Sequence, residues 1–353
     1  MPTFSKPTVV GQMPLSNKSI RAAINLWNRD EEQATLEYGC IEEWDTSAVT
    51  DMSELFLNNR YFNDDISKWD VSRVTDMSEM FSDAATFNQD LSGWDVSKVM
   101  DMNSMFNGAA EFNQDLSGWN VSKVVDMSCM FYNAETFNQD LRGWDVSKVT
   151  DMGGMFAGAE LFNQDINGWD VSKVTNMRSM FSDAAAFNHD VSRWDVSKVK
   201  DMRNMFWGAV AFNQDLRGWD VSKVTDMYRM FFSAATFNQD LSGWDVSKVT
   251  DMGEMFLYTT ALITLRTTLE VSSFFEGVYR ALPREERQQV FANVFTWQRR
   301  KAFVLFLVNH GYLYSASVAN NYERQATKPS SEYVPCDAIF DVEDIYRYIC
   351  AFL

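Results

Sequence analysis

Tryptophan stands at positions 44, 69, 94, 119, 144, 169, 194, 219 and 244, one every 25 residues without a slip. A period of this length constrains the fold more than any composition value. Each unit is one supersecondary element too small to bury its own apolar face, and stacking the units solves the problem. Between tryptophans the text is nearly constant: Trp94-Asp95-Val96-Ser97-Lys98-Val99, then Asp101-Met102, Met105-Phe106, Ala109, and Phe112-Asn113-Gln114-Asp115-Leu116. Nine copies begin this way, and the ninth loses the pattern after Phe256. The repeat overrides the two-domain expectation that a length of 353 residues would otherwise carry.

Within one copy, Leu91, Trp94 and Val96 have the L-x-x-L-x-L spacing of a leucine-rich repeat. Trp94 and Val96 are two apart, so a strand would turn both inward and Asp95 outward. Val99, Met102, Met105 and Phe106 switch to helical spacing, and Ala109 and Phe112 continue it. Asp101 then reads as a helix N-cap, with Glu54 and Glu79 completing capping boxes opened by Asp51 and Asp76. The expected fold class is an α/β repeat solenoid, a leucine-rich-repeat-like stack of nine 25-residue coils with one short parallel strand and one short helix each. At the usual strand spacing nine coils would run for about 40 Å. The asparagine column from Asn63 to Asn238 has no exception. It reads as a buried ladder that satisfies backbone groups at a corner.

Three segments follow: a helical cap over residues 1–40, the repeat over 41–257, and an all-α module over 258–353. Ser16 to Tyr38 reads as one or two helices stopped by Gly39, with Ile20, Ala23, Ile24 and Trp27 covering the first coil. Beyond Phe256 helical patterns take over at 269–282, 291–309 and 341–352, the second preceded by Pro283 and the last capped by Asp341.

The string Phe87-Asn88-Gln89-Asp90-Leu91-Ser92-Gly93-Trp94-Asp95-Val96-Ser97-Lys98-Val99, with Asp101-Met102 and Met105-Phe106 after it, closely resembles the repeat of mycoplasma-type surface lipoproteins. That family is grouped with the BspA-like leucine-rich-repeat proteins. The opening segment, Ile20 to Trp27 with Tyr38-Gly39 and Trp44-Asp45-Thr46-Ser47, resembles the entry to such arrays in unicellular algae and their large viruses. The resemblance covers roughly residues 41–256 and implies a non-catalytic surface or interaction protein.

A formal charge of −18 lacks the positive footprint that nucleic acids or anionic lipids require. No secretory leader and no membrane-length apolar run is visible, which leads to an expectation of an intracellular protein, with surface or virion association left open. Cys40, Cys129, Cys336 and Cys350 have neither metal spacing nor a framework pattern. Two histidines, no nucleophile motif and no phosphate loop leave nothing for an enzyme, a cofactor or a small-molecule substrate. Paired methionines such as Met102 and Met105 have a spacing that copper(I) could use, but beside constant aromatics they read as core.

Two surfaces remain as candidates. One is the acidic column on the strand face, Asp95, Asp145, Asp170, Asp195 and Asp220, suited to a polymer or glycan, with calcium a possible aid. Neighbouring carboxylates ~5 Å apart repel by about 1 kcal/mol in water, and the parallel lysine column from Lys98 to Lys248 reads as a salt-bridge ladder that relieves this. The other is where the copies differ. The residue after the Met-Phe pair runs through Tyr132 and ends Trp207, Phe232, Leu257, with Arg178, Arg203 and Arg229 close by in sequence register. Tryptophan and arginine dominate binding hot spots, so this helix-side patch is the leading candidate for a protein partner or larger assembly. A covering of the patch by the C-terminal helices is the competing reading.

Overall fold

The computed structural model describes residues 13–241 and 243–259, all belonging to one compact unit. The three helices expected after Phe256, with Cys336, Cys350 and His310, lie outside the described residues.

Two helices open the described chain: α1, Asn17–Arg29, and α2, Glu31–Tyr38, followed by a 3-10 turn at Ile41–Glu43. Ser16 caps α1, and Ser19 returns the bond to close a capping box. Ile20, Ala23 and Ile24 are its buried face, as the apolar stripe requires. Polar groups of α1 stand in for a coil that is not there. Asn17 Oδ1 accepts the Thr50 N–H at 2.9 Å, whereas the next such N–H, Thr75, donates to the Thr50 carbonyl. Arg21 donates to the Ser53 carbonyl at 2.6 Å, the position that in later coils receives a backbone N–H from the preceding coil, as Ser128 O does from Ser104. Trp27 Nε1 donates to Asp64, the residue that replaces the repeat glutamine in this first coil.

From Trp44 onward the expected strand and helix are not formed. Among the described residues the coils contain only turns, plus single-residue parallel bridges joining Asp51 to Asp76, Asp76 to Asp101, and onward to Asp251. The bridge falls at Asp101 and not at Trp94–Val96. Each coil is a chain of three-residue steps. Trp94 N–H donates to Leu91 O, Val99 to Val96, Met105 to Met102, Ala109 to Phe106 and Phe112 to Ala109, all between 2.9 and 3.2 Å. Every residue that closes one of these turns is buried. The three-residue spacing is therefore the spacing of turn corners, which a helix shares along one edge. The physical reason the helix fails is visible in the backbone. Residues 104 and 108, and their counterparts in all nine coils, hold φ between 53° and 69°. Left-handed residues end a right-handed helix, at roughly 1–2 kcal/mol each for residues with a Cβ. Only Gly108, Gly154, Gly158 and Gly208 escape that cost.

Bonds to the next coil offset it. The N–H groups of Met102, Ser104, Phe106 and Gly108 donate to the carbonyls of Asp126, Ser128, Met130 and Tyr132 at 2.7–3.1 Å. Inside, side chains rest on their own copies. Phe106 and Phe131 are 5.7 Å apart and nearly parallel, Phe112 and Phe137 6.1 Å, Trp144 and Trp169 6.4 Å. The two phenylalanine columns also stack on each other at 4.0 Å within a coil. Each tryptophan has a second reason to be constant. Trp119 Nε1 donates to Leu91 O of the coil below at 3.0 Å, and the bond recurs up to Trp244. A buried indole N–H without a partner would be costly.

The constant polar columns are turn makers. Asp101 does not cap a helix: its Oδ1 accepts the Asn103 N–H two residues on, an Asx turn. The asparagine column is a ladder, but half-buried to exposed and not buried. Asn88 Oδ1 accepts the Asn113 N–H and the Gln114 side chain, and the backbone link runs unbroken from Asn63 to Asn238.

Candidate binding surfaces

The acidic strand-face column is built by the same turn chemistry. Asp95, Asp145, Asp170, Asp195 and Asp220 each accept the N–H of the serine two residues on, at 3.0–3.1 Å. Hydrogen bonding by that serine, its hydroxyl first and its backbone second, holds Asp95, Asp145, Asp195 and Asp220 below the ordinary carboxylate range. Asn120, which interrupts the column, makes the same bond to Ser122 at 3.2 Å. The column thus serves the turn, which Asn can also make, and charge is incidental to that role. Nor is there a salt-bridge ladder: among the described residues no lysine from Lys98 to Lys248 lies within ion-pair distance of an acid. No group of three or more His, Cys, Asp or Glu among these residues is placed to hold a metal ion.

Residues 103 to 111 of each coil, and their counterparts, form the corner where copies differ. Trp207 and Phe232 meet edge to face at 5.9 Å, and Phe232 meets Tyr258 in the same way at 5.2 Å. Arg229 lies over two rings, 4.8 Å from Tyr228 and 5.1 Å from Phe232, and pairs with Glu254 at 2.6 Å. Arg203 lies 5.9 Å from the Tyr228 ring and pairs with Asp226, its Nε 3.1 Å from Oδ2. Trp207 and Phe232 are only half-buried, and Tyr258 is exposed. The structure thus joins Trp207, Phe232, Arg203 and Arg229 in one interlocked cluster, with half-buried Leu257 continuing the column. It adds Tyr228 and Tyr258, which sequence reasoning missed. Tyr228 stands where other copies carry Ser, Asn, Gly or Arg, and that size change was the available signal.

Two candidates lie apart. Arg178 is exposed and in no ion pair among the described residues, while Tyr132 stands three coils below Trp207 with Ala157 and Ser182 between. Because Arg203 and Arg229 are each matched to an acid, the cluster offers less free positive charge than its arginine count implies. Burial, with Asp151 and Asp126 nearby, pushes the Cys129 thiol up, away from nucleophilic thiolate. His189 replaces one ladder glutamine. No helix among the described residues is long and apolar enough to cross a membrane.

The family described as "Mycoplasma protein of unknown function, DUF285" matches residues 25–144, 116–202 and 189–276 in three overlapping segments, together more than two thirds of the chain. No curated protein matches it.

Proposed function

This chain belongs to the DUF285 repeat family, and from that premise we propose that it is a non-catalytic protein-binding or assembly scaffold. Its coils are read as a turn-built solenoid framed by the 1–40 cap and a C-terminal module from 258 on. The finer kinship, to BspA-like surface proteins and to the arrays of algae and their large viruses, belongs to the same proposal. The observation that carries the reading is the contrast between columns. Those assigned to turns, ladders and core repeat almost letter for letter. The corner after the Met-Phe pair changes from coil to coil and ends in the half-exposed Trp207, Phe232 and Tyr258 cluster. Such a preorganised aromatic and arginine surface is what hot spots are made of.

Affinity capture from the native source, with quantitative comparison of variants, tests this. Trp207→Ala should leave stability within about 1 kcal/mol, since the ring is only half-buried, yet remove captured partner. The adhesin or polymer-binding reading predicts the reverse. There, Asp145→Asn, Asp170→Asn and Asp195→Asn together abolish binding, with the turns intact, and Trp207→Ala does nothing.

A further inference from the structure

We infer that a recess on the corner of the coils carrying Tyr132, Ala157 and Ser182 receives the guanidinium or ammonium group of a basic side chain on a protein partner. This rests on the scaffold reading and adds the chemistry of what is bound. The hollow arises from the corner column itself. Between Tyr132 and Trp207 that column carries two small buried residues, Ala157 and Ser182, and the space they leave is about 370 Å³. That is the lower end of ligand-pocket size, room for a side-chain group. Tyr132, exposed, provides an aromatic wall on which a cation can rest.

The charge around it has one sign. Glu135, Glu160 and Asp183 line the hollow from three successive coils, and no Lys, Arg or His does. On this corner Glu254 is matched with Arg229, and just before it in register Asp51 with Arg21 and Asp226 with Arg203. Glu54, Glu79, Asp83 and Glu111 also lie on the corner without an ion pair among the described residues, but they do not line this hollow. Among the described residues the three carboxylates of the hollow have no such ion pair. Asp183 is exposed by area, yet the protein around it and then Glu160 push its carboxyl above the ordinary range. A bound cation would relieve what the fold leaves uncompensated, and a chain of charge −18 steers cations towards it. A partner side chain is favoured over a free amine because the hollow lies on the same column as the Trp207 cluster and reaches Gly208, the residue next to Trp207. One partner laid on the corner reaches both.

Calorimetric titration of the full chain with acetyl-Gly-Arg-Gly-Arg-Gly-amide, and with the same peptide carrying neutral citrulline, tests the assignment. The arginine peptide should bind about tenfold more tightly, and Glu160→Gln/Asp183→Asn should remove that advantage, a difference of about 1.4 kcal/mol. The control Asp145→Asn/Asp195→Asn, which removes equal charge while keeping its turns, should leave it unchanged. Thermal midpoints guard against misfolding: relief of repulsion should leave the Glu160→Gln/Asp183→Asn midpoint at or above wild type. Equal losses in both double variants mean diffuse acidity and overturn the proposal, as does equal binding of the two peptides. Partner capture that still depends on Trp207 while the peptides are not distinguished removes this inference alone and leaves the scaffold reading standing.

Discussion

Gly158 is the sharpest test of the turn-built coil. It holds φ +69°, and a Cβ placed on it would lie 2.2 Å from Asn133 Oδ1 and 3.3 Å from Asn133 Cα in the coil below. Gly108 and Gly208 stand in the same relation to Asp83 and Asp183. Gly158→Ala therefore meets two separable costs. The left-handed backbone costs about 1–2 kcal/mol for a residue with a Cβ. Moving the Asn133 amide aside costs about 0.5–1.5 kcal/mol in rotamer strain, so the sum is roughly 2–3 kcal/mol. Asn133→Gly keeps a left-handed residue at 133 without strain and removes the obstacle. In that background Gly158→Ala should cost only the backbone part, leaving a coupling of about 1 kcal/mol between the two positions. Urea unfolding of the four proteins, read from tryptophan fluorescence and circular dichroism together, gives the cycle. Identical losses from Gly158→Ala in both backgrounds refute the steric reasoning. No loss in either refutes the left-handed assignment as well.

Mid-stack, Trp144→Ala should cost about 3–5 kcal/mol through the cavity it opens. Trp144→Phe should still cost about 1–3 kcal/mol because Leu116 O loses the indole donor, now at 3.0 Å; equality of Trp144→Phe with wild type in urea midpoint would show that the bond does not matter. Asp101 is a pH prediction. Burial, and then Asp126 and Asp76, raise its carboxyl against a partial offset from the Asn103 N–H. A raised carboxyl contributes stability fully below its unfolded value and loses it as pH rises through the folded one. Asp101→Asn, which keeps the Asx turn as Asn176 does with the Arg178 N–H, should raise the midpoint at pH 7 and leave it unchanged near pH 3. A lower midpoint at pH 7 would contradict this.

The period and the core were legible because they depend on residue identity repeated at fixed spacing, and the two N-terminal helices because Ser16, the Ile20-Ala23-Ile24 stripe and Gly39 mark a start, a buried face and a stop. Trp94, Val96, Val99, Met102, Met105, Phe106, Ala109 and Phe112 are all buried as expected. What was not legible is the backbone that carries them. Apolar residues three apart suit both a helix edge and a chain of turns. Of the two deciding left-handed positions, 108 and its counterparts carried a signal in Gly, Asn or Asp at seven of nine coils, whereas 104 has no single-residue signature. Glu, Ser, Cys, Asn and Arg fill 104 and its counterparts as well as Gly does, since bonds between coils fix the conformation whatever the side chain. Asp-x-Ser was the missed local signal: Asx turns explain acid columns that sequence reasoning assigned to helix caps and salt bridges. At the candidate surface the Trp207, Phe232 and Leu257 column was readable from variation alone, but the pairing of Arg203 with Asp226 and Arg229 with Glu254 needed coil-to-coil register.

Once structural duties are assigned, the room left for specific recognition narrows. Asp90, Asp95 and Asp101 with their counterparts hold turns, Asn113 and Gln114 carry the ladder, and tryptophan ties each coil to the one below. Changing any of these to a residue that cannot make the same bonds would disturb the coil in which it sits and its neighbour, so they are poorly placed to evolve towards a partner. The corner after the Met-Phe pair is different. Its side chains at 107 and the counterparts range from Ala to Trp without altering the inter-coil bonds, because those bonds use backbone atoms of the same residues: Asn133 N–H reaches Ala157 O as readily as Asp183 N–H reaches Trp207 O, at 2.7 and 2.6 Å. A position whose backbone holds the fold while its side chain is free can be tuned coil by coil. The shallow, acidic Ala157 and Ser182 region and the aromatic Trp207 and Phe232 region are two outcomes of that freedom on one frame.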